Sequence, residues 1–339
     1  MKHFFCVAFV LVQVVGYLHA QETPRFIELK GHSFADDVLH YVSSIVWSHD
    51  GKRVGTVGMD GTVRVWNAET GKELRKLKAD TMGTSSVSFS LTGETIAMIN
   101  PLPERAAFIQ IWDVESGKEL QRSLDYASKS LFDVFPHLTK KLATGHVTVR
   151  IWDADSGKEL QQIGGRTEGG GFSIFSPDGK KIVTAAGNGV VQIWDAESGK
   201  ELPRLREQKR GIYARSVAFS MGGKKVATIE HEGIVRIWEV DSGKELKKLE
   251  SFPGDWHWPA AFSPDEKKIV AVGTTTDQSS CVRILDTESG KVQELKIPEV
   301  RNEYVTLKPA NFFAITFSPD GKSIAIAGDY GFAGIWVLE

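Results

Sequence analysis

Residues 172–205 read FSIFSPDGKKIVTAAGNGVVQIWDAESGKELPRL and contain four short segments with the character of β-strands. Residues 172–175 are apolar, and the Ser-Pro-Asp-Gly turn after them ends in a glycine that can adopt a positive φ. Residues 181–185 and 190–194 are rich in β-branched side chains, which favour strands. Residues 201–205 carry charges that suit the outer edge of a sheet. The stretch therefore predicts a unit of four antiparallel strands.

This unit recurs along the chain, and its third strand ends in a large apolar residue, usually tryptophan, followed in all but the last copy by a polar one. The copies are Trp66-Asn67, Trp112-Asp113, Trp152-Asp153, Trp194-Asp195, Trp238-Glu239 and the degenerate Leu285-Asp286 and Trp336-Val337. Each copy also has an aromatic residue in its first strand: Trp47, Phe89, Phe135, Phe175, Phe219, Phe262 and Phe317. Internal repeats with a period of about 40–50 residues are typical of propeller blades. Seven copies predict seven blades.

The chain resembles the WD-repeat (β-transducin-like) family. The Trp-Asp pairs carry the resemblance, together with the Phe-Ser-Pro-Asp turns at Phe175, Phe262 and Phe317 and the pair Gly31-His32. The repeated sequence Asp-Ala-Glu-Ser-Gly-Lys-Glu-Leu resembles bacterial members in particular. The resemblance implies an all-β fold, a seven-bladed β-propeller of four-stranded antiparallel blades, in a single domain spanning residues 25–339.

The two ends of the repeat region predict how the ring closes. The seventh copy stops at Trp336-Val337-Leu338-Glu339 and so lacks an outer strand, whereas residues 26–32 stand alone before the first copy. Residues 26–30 are similar to the outer strand at residues 72–77. We therefore expect the N-terminal strand to complete the last blade, which would remove the free edges of an open ring.

The resemblance also implies a buried hydrogen-bond network that has a structural role. In the first copy His32, Thr56, Asp60 and Trp66 occupy all four of its positions. In the other copies we assign to the structural framework Trp112, Asp113, Trp152, Asp153, Trp194, Asp195 and Trp238. Buried polar groups need partners, so His32 is expected to support the fold and not to bind a ligand.

The sequence offers no pattern for catalysis or metal binding. It has no His-Glu-x-x-His, no Gly-x-Ser-x-Gly and no cysteine pair with zinc spacing. Its 41 basic and 43 acidic residues give a net charge of −2, without the basic surface that nucleic-acid binding requires. We therefore expect a non-enzymatic protein that has no catalytic residues, no metal site, no cofactor and no nucleic-acid partner.

Departures from the repeat favour one face of the ring as a binding surface. The longest connection between copies, around residues 297–309, and two lengthened turns between second and third strands would emerge on the same face. Aromatic and arginine side chains, which are enriched at binding sites, gather there. The candidate partner-binding residues are Tyr41, Tyr213, Arg215, Trp256, Trp258 and Phe313. Phe313 could equally fill the wedge between two blades.

Two functions are consistent with such a face. The first is a monomeric scaffold that binds a protein or peptide partner. The alternative is a pocket for a carbohydrate or other small ligand, because aromatic rings serve both purposes.

The first 20 residues have the layout of a signal peptide. Lys2 and His3 precede an apolar run at residues 4–15, and polar residues resume at Gln21. The run is shorter than the roughly 20 residues of a spanning helix, and we expect no stable membrane insertion. The chain is therefore expected to be exported to the periplasm or the cell exterior. The alternative is a membrane anchor formed by an uncleaved leader.

Export with cleavage predicts that the mature protein lacks residues 1–20, or residues 1–16 if cleavage follows Gly16. Mass spectrometry of the N-terminus of the protein expressed in its own host would measure this. An intact, membrane-bound form would favour the anchor, and a soluble cytoplasmic form that keeps residues 4–15 would contradict both.

Overall fold

The chain folds into small antiparallel β-sheets joined by turns. The computed structural model describes residues 24–32, 41–79, 86–90, 92–102, 106–125, 141–144, 148–153, 159–164, 171–186, 190–202, 205, 214–230, 233–250, 259–274, 280–298, 300–301, 306–307 and 311–338. Strand β1 (Arg25–Glu28) comes first and pairs only with the last strand of the chain. The described secondary structure agrees with the all-β class that the repeat predicts.

Five sheets contain four strands each. The first sheet consists of β2 (Val42–Trp47), β3 (Arg53–Gly58), β4 (Thr62–Asn67) and β5 (Glu73–Lys78). The second consists of β6 (Ser86–Phe89), β7 (Thr95–Leu102), β8 (Ala106–Asp113) and β9 (Glu119–Asp125). Further along the chain are β16 (Ala214–Phe219), β17 (Lys225–Glu230), β18 (Ile234–Glu239) and β19 (Glu245–Glu250), and then β20 (Ala260–Phe262), β21 (Lys268–Thr274), β22 (Ser280–Asp286) and β23 (Val292–Leu295). The last sheet joins β1 to β26 (Phe312–Phe317), β27 (Ser323–Gly328) and β28 (Ala333–Val337).

Two more sheets contain three strands. One consists of β10 (Lys141–Thr144), β11 (Thr148–Asp153) and β12 (Glu159–Gly164), and the other of β13 (Gly171–Phe175), β14 (Lys181–Ala186) and β15 (Val191–Asp195). The second of these has a partial fourth strand, because Glu201 forms a β-bridge with Trp194 and the amide of Leu202 donates to the Ile193 carbonyl at 2.8 Å. A hairpin of β24 (Val300–Arg301) and β25 (Thr306–Leu307) lies in the long connection before β26.

The described residues therefore form an all-β propeller with six blades that have all four strand positions, and not the seven predicted. The sheet β10–β12 remains short of a blade by one strand. The repeat places the missing first strand of that copy around Phe135, which lies outside the described residues.

Neighbouring sheets bury their faces against each other. The inner strand β26 packs on β2, β2 packs on β6, and β20 packs on both β16 and β26. Large and small side chains alternate across these contacts. A Cβ added to Gly55 would lie 3.0 Å from the Phe89 ring of the next sheet, so this glycine makes room for that aromatic. Such interlocking excludes water from both faces of a sheet that could not bury them alone.

The Ser-Pro-Asp-Gly motifs form the tight turns between first and second strands. The Ser176 hydroxyl donates to Asp178 Oδ1 at 2.6 Å, and Gly179 has a φ of 64°. The same serine–aspartate bond occurs at Ser48, Ser263 and Ser318. In an antiparallel blade these turns share one face of the ring with the turns between third and fourth strands. We call it the turn face. The opposite, connection face carries the turns between second and third strands and the links between blades.

The N-terminal strand closes the ring, as the sequence predicts. Residues Arg25, Phe26, Ile27 and Glu28 pair in antiparallel register with Val337, Trp336, Ile335 and Gly334. The Phe26 ring packs edge-on against Trp336 at 5.0 Å and stacks on Phe332 at 5.7 Å. Gly334 lies directly beneath this ring, where a Cβ would collide with it. Strand β1 is thus held on the last blade by backbone pairing with β28 and by the packing of the Phe26 ring on Gly334.

We predict that Gly334→Ala destabilises the protein by about 1–3 kcal/mol, because the added methyl group overpacks the site under Phe26. Urea unfolding monitored by tryptophan fluorescence would measure the loss. The double variant with Phe26→Leu should lose less than the sum of the two single variants, because the smaller side chain relieves the collision. Additive losses would contradict the proposed contact.

Candidate functional site

A buried network joins the end of the N-terminal segment to the first complete blade. His32 Nε2 lies 2.7 Å from Thr56 Oγ1, and His32 Nδ1 lies 3.0 Å from Asp60 Oδ1. Trp66 Nε1 donates to the same Thr56 oxygen at 2.8 Å. The ionised carboxylate of Asp60 can only accept, so His32 Nδ1 donates to it, and the hydrogen bond between His32 Nε2 and Thr56 Oγ1 completes the network. All four side chains are thereby held in fixed positions.

Asp60 is the charged centre of this network. Its Oδ1 accepts from the Thr62 hydroxyl at 2.7 Å, and Arg64 Nη2 donates to its Oδ2 at 3.2 Å. Arg64 is itself buried and also pairs with Glu73. Burial alone raises the pKa of Asp60, but the hydrogen bonds and charges of His32 and Arg64, with the Thr62 bond, hold it well below its usual range. The carboxylate is therefore ionised and fully committed to the fold.

Other blades repeat parts of this arrangement. Trp194 donates to Thr184 and Trp238 to Thr228, each at 2.9 Å. In the blade of β16–β19 the acid of the network is Glu230, whose Oε1 accepts from Arg236 Nε at 3.0 Å. The family resemblance implied the complete network of the first copy but not the role of Glu230, which belongs to a strand and not to the following turn.

The aspartates of the Trp-Asp pairs have a different role. The side chain of Asp195 accepts from the Ser198 amide at 2.7 Å and from its hydroxyl at 2.6 Å, and Asp113 makes the same two bonds with Ser116. These bonds fix the turns on the turn face and do not join the buried network. Trp112 is buried, and the side chains of Trp152 and Asp153 lie outside the described residues.

On the connection face the structure brings together two of the six candidate binding residues. The rings of Tyr41 and Phe313 lie 4.6 Å apart with an angle of 36° between their planes. Tyr41 precedes the inner strand β2, and Phe313 belongs to the inner strand β26 of the neighbouring blade. Both are half-buried. They form an aromatic pair that spans the junction between the first and last blades.

A buried carboxylate lies beside this pair. Asp329 forms a backbone β-bridge with Tyr41, and its Oδ2 accepts from the backbone amide of Asn311 at 2.9 Å and from its side-chain amide at 2.7 Å. Asp329 is only 9% exposed. Burial raises the pKa of this carboxyl above its ordinary value, although the bonds from Asn311 oppose the rise. Burial, and then the charge of Asp329, raise the pKa of the Tyr41 phenol.

The remaining candidates are not described at the level of side chains. Tyr213, Trp256 and Trp258 lie outside the described residues, and Arg215 belongs to β16 without a described side chain. Sequence reasoning missed Asp329 and the role of Asn311. Asp329 breaks the repeat, since the corresponding position of the first blade is Met59, and that departure was the signal.

A cavity of about 260 Å³ lies on the turn face, at the ends of the inner strands. Apolar residues of five inner strands and their turns form most of its wall, with Trp47, Phe262 and Met221 among them. Among the described residues that line it, only His49 has a titratable side chain. Neither Tyr41 nor Phe313 lines this cavity, so it is distinct from the Tyr41–Phe313 pair.

The described residues lack both a metal-binding cluster and a membrane-spanning helix. Among the described residues no group of three or more His, Cys, Asp or Glu side chains is placed to hold a metal ion. No helix in that part of the chain is long and apolar enough to cross a membrane.

Small antiparallel sheets arranged in a ring that the first strand closes define a β-propeller. The family model for the WD domain, G-beta repeat, matches residues 25–67 and 170–195. These ranges include the His32 network and the stretch with the Trp194–Thr184 bond. The two matches and the arrangement of the sheets support the resemblance to WD-repeat propellers that the Trp-Asp pairs indicated. No curated protein gives a significant match to it.

We predict that Asp60→Asn destabilises the protein by about 3 kcal/mol at pH 7, because it leaves the buried Arg64 poorly compensated. The pKa of Asp60 is lower in the folded chain than in the unfolded chain, so its contribution is present above the unfolded value of about 4 and is lost as the pH falls below it. The difference in the free energy of unfolding between wild type and variant should therefore become smaller below pH 4. Urea unfolding at a series of pH values measures both effects.

The matched control is Glu69→Gln, which removes an exposed carboxylate and should change stability by less than about 0.5 kcal/mol. An Asp60→Asn variant as stable as this control would show that the network is not needed for the fold.

Proposed function

We propose that this chain is a non-catalytic scaffold that binds a protein or peptide partner on its connection face. WD-repeat propellers typically serve as protein-interaction scaffolds. The observation that carries the proposal for this face is the Tyr41–Phe313 pair beside the buried Asp329. Half-buried aromatic rings at a junction between blades supply the rigid apolar contact area that binding anchors need.

The number of blades belongs to the same proposal. We infer seven blades, with β10–β12 as part of the third, because the Trp-Asp copies continue through Trp152 at an unbroken spacing. The packing of β10 on β13, the inner strand of the following sheet, supports this assignment. Seven blades would place Arg215, Tyr213 and the tryptophans at 256 and 258 around the same channel mouth as Tyr41.

We also propose that the protein works outside the cytoplasm, on the strength of the leader-like residues 1–20. A carbohydrate or other small ligand at the aromatic arc remains the second candidate function. It rests on the same aromatic residues, of which Trp256 and Trp258 would be its stacking platforms.

We predict that peptides selected from a random displayed library against the intact protein bind through this face. Tyr41→Ala with Phe313→Ala should weaken the selected peptides by about 2 kcal/mol or more, since it removes a central aromatic anchor. Binding would be measured by fluorescence anisotropy, and thermal unfolding would verify that the variant stays folded at the assay temperature.

The matched control is Leu246→Ala, which truncates a side chain that is 43% exposed on an outer strand. It should leave the affinity unchanged. Enriched peptides that bind both variants equally, or a selection that enriches none, would contradict a peptide-binding face. Binding on a glycan array that depends on Tyr41 and Phe313 would instead favour the second candidate.

A further inference from the structure

Asp329 departs from the repeat in a way that the fold does not require. It lies six residues after the start of the second strand in the last copy. The residues at this position along the seven copies are Met59, Pro101, Val147, Gly187, His231, Thr274 and Asp329. Only the last copy has an acidic side chain there. A position that tolerates such different residues elsewhere does not need a carboxylate to form the turn.

Among the described residues, none with a cationic side chain compensates the charge of this carboxylate. Its described partners are the backbone and side-chain amides of Asn311, which are neutral and both bind Oδ2. No described residue donates to Oδ1, and no cationic side chain within the described ranges forms an ion pair with Asp329. Asp60 shows the contrast, because Arg64 contacts it directly. A buried carboxylate without a cation costs stability, and burial accordingly raises its pKa.

Two aromatic residues lie at the same junction as this carboxylate. Tyr41 pairs with Asp329 through the backbone, and its ring lies 4.6 Å from that of Phe313. The faces of aromatic rings attract cations, and a guanidinium group stacks on them while it donates hydrogen bonds to a carboxylate. The junction between the first and last blades thus combines an available carboxylate oxygen with two half-buried rings.

We propose that this junction binds the guanidinium group of an arginine side chain from the partner, with Asp329 as its counter-ion and Tyr41 and Phe313 as its aromatic contacts. The inference rests on the proposed function and specifies the chemistry of one partner residue. Asn311 holds Oδ2 in place, and Oδ1, to which no described residue donates, is the acceptor for the incoming cation. The uncompensated charge lowers the stability of the free protein, and the ion pair with the bound arginine restores it. Such a loss of stability is common at binding sites.

The experiment uses the full-length mature protein and two probes, N-acetyl-L-arginine amide and N-acetyl-L-citrulline amide. Citrulline has the same shape as arginine but no charge. The side-chain amide signals of Asn311 in NMR spectra report on the site, since that amide donates to Asp329. We expect arginine amide to shift these signals in a saturable way at millimolar concentration, as suits a single-residue ligand, and citrulline amide to leave them in place.

The test variant is Asp329→Asn, whose amide oxygen can still accept from Asn311. This variant should bind arginine amide at least tenfold more weakly than wild type. Its affinity is read from the aromatic signals of Tyr41 and Phe313, which do not depend on the Asn311 amide. It should melt at the same temperature as wild type or higher, because the uncompensated charge is gone. Glu197→Gln, an exposed change on the turn face, is the matched control and should behave as wild type.

Equal shifts with arginine and citrulline amides, no shift with arginine amide, or undiminished binding to Asp329→Asn would each overturn the inference. The comparison of the two probes needs only the wild-type protein and so does not depend on the variant folding. Some selected peptides could require Tyr41 and Phe313, yet lack arginine and bind Asp329→Asn as well as wild type. That result would contradict the arginine inference and leave the proposed function standing. Loss of peptide binding to the face as a whole would remove the proposed function.

Discussion

A four-stranded sheet has two apolar faces and cannot cover either by itself, and this constraint organises the whole protein. Each blade buries its two faces away from water only by packing against a neighbouring blade on each side. The contact of Phe89 with Gly55 shows how closely neighbouring blades interlock, with a ring on one sheet and no side chain on the other. The ring is therefore the smallest arrangement in which no blade leaves a face in water.

Much of this arrangement could be predicted from the sequence, because repetition makes weak local signals strong. Features that recur along the chain predict the Ser-Pro-Asp-Gly turns and the Trp–Thr hydrogen bonds. The outer strand that the last copy lacks predicts the docking of residues 25–28 onto the last blade. The full count of blades did not follow in the same way. Six have all four strand positions in the described residues, and the first strand predicted for the copy around Trp152 lies outside those residues.

The binding face was harder to predict, since its residues share no common spacing. Tyr41 and Phe313 are far apart in the sequence, and they meet because the first and last blades are neighbours in the ring. Asp329 could have been found as the one acid at its repeat position, but its burial and its bond to Asn311 depend on packing that no local pattern encodes. That packing also separates it from Asp60, whose cationic neighbours lower its pKa, whereas the neutral donors around Asp329 leave its pKa raised.

The pairing of β1 with β28 also fixes when the protein can finish folding. The paired residues are separated by almost the entire chain, so this pairing is the most non-local one among the described strands, and non-local contacts form slowly. At synthesis rates of about 5–20 residues per second, the first strand must wait roughly 15–60 s for its partner to leave the ribosome. During that interval the edge of the growing propeller is exposed, and an exported chain would keep it open until the last strand has crossed the membrane.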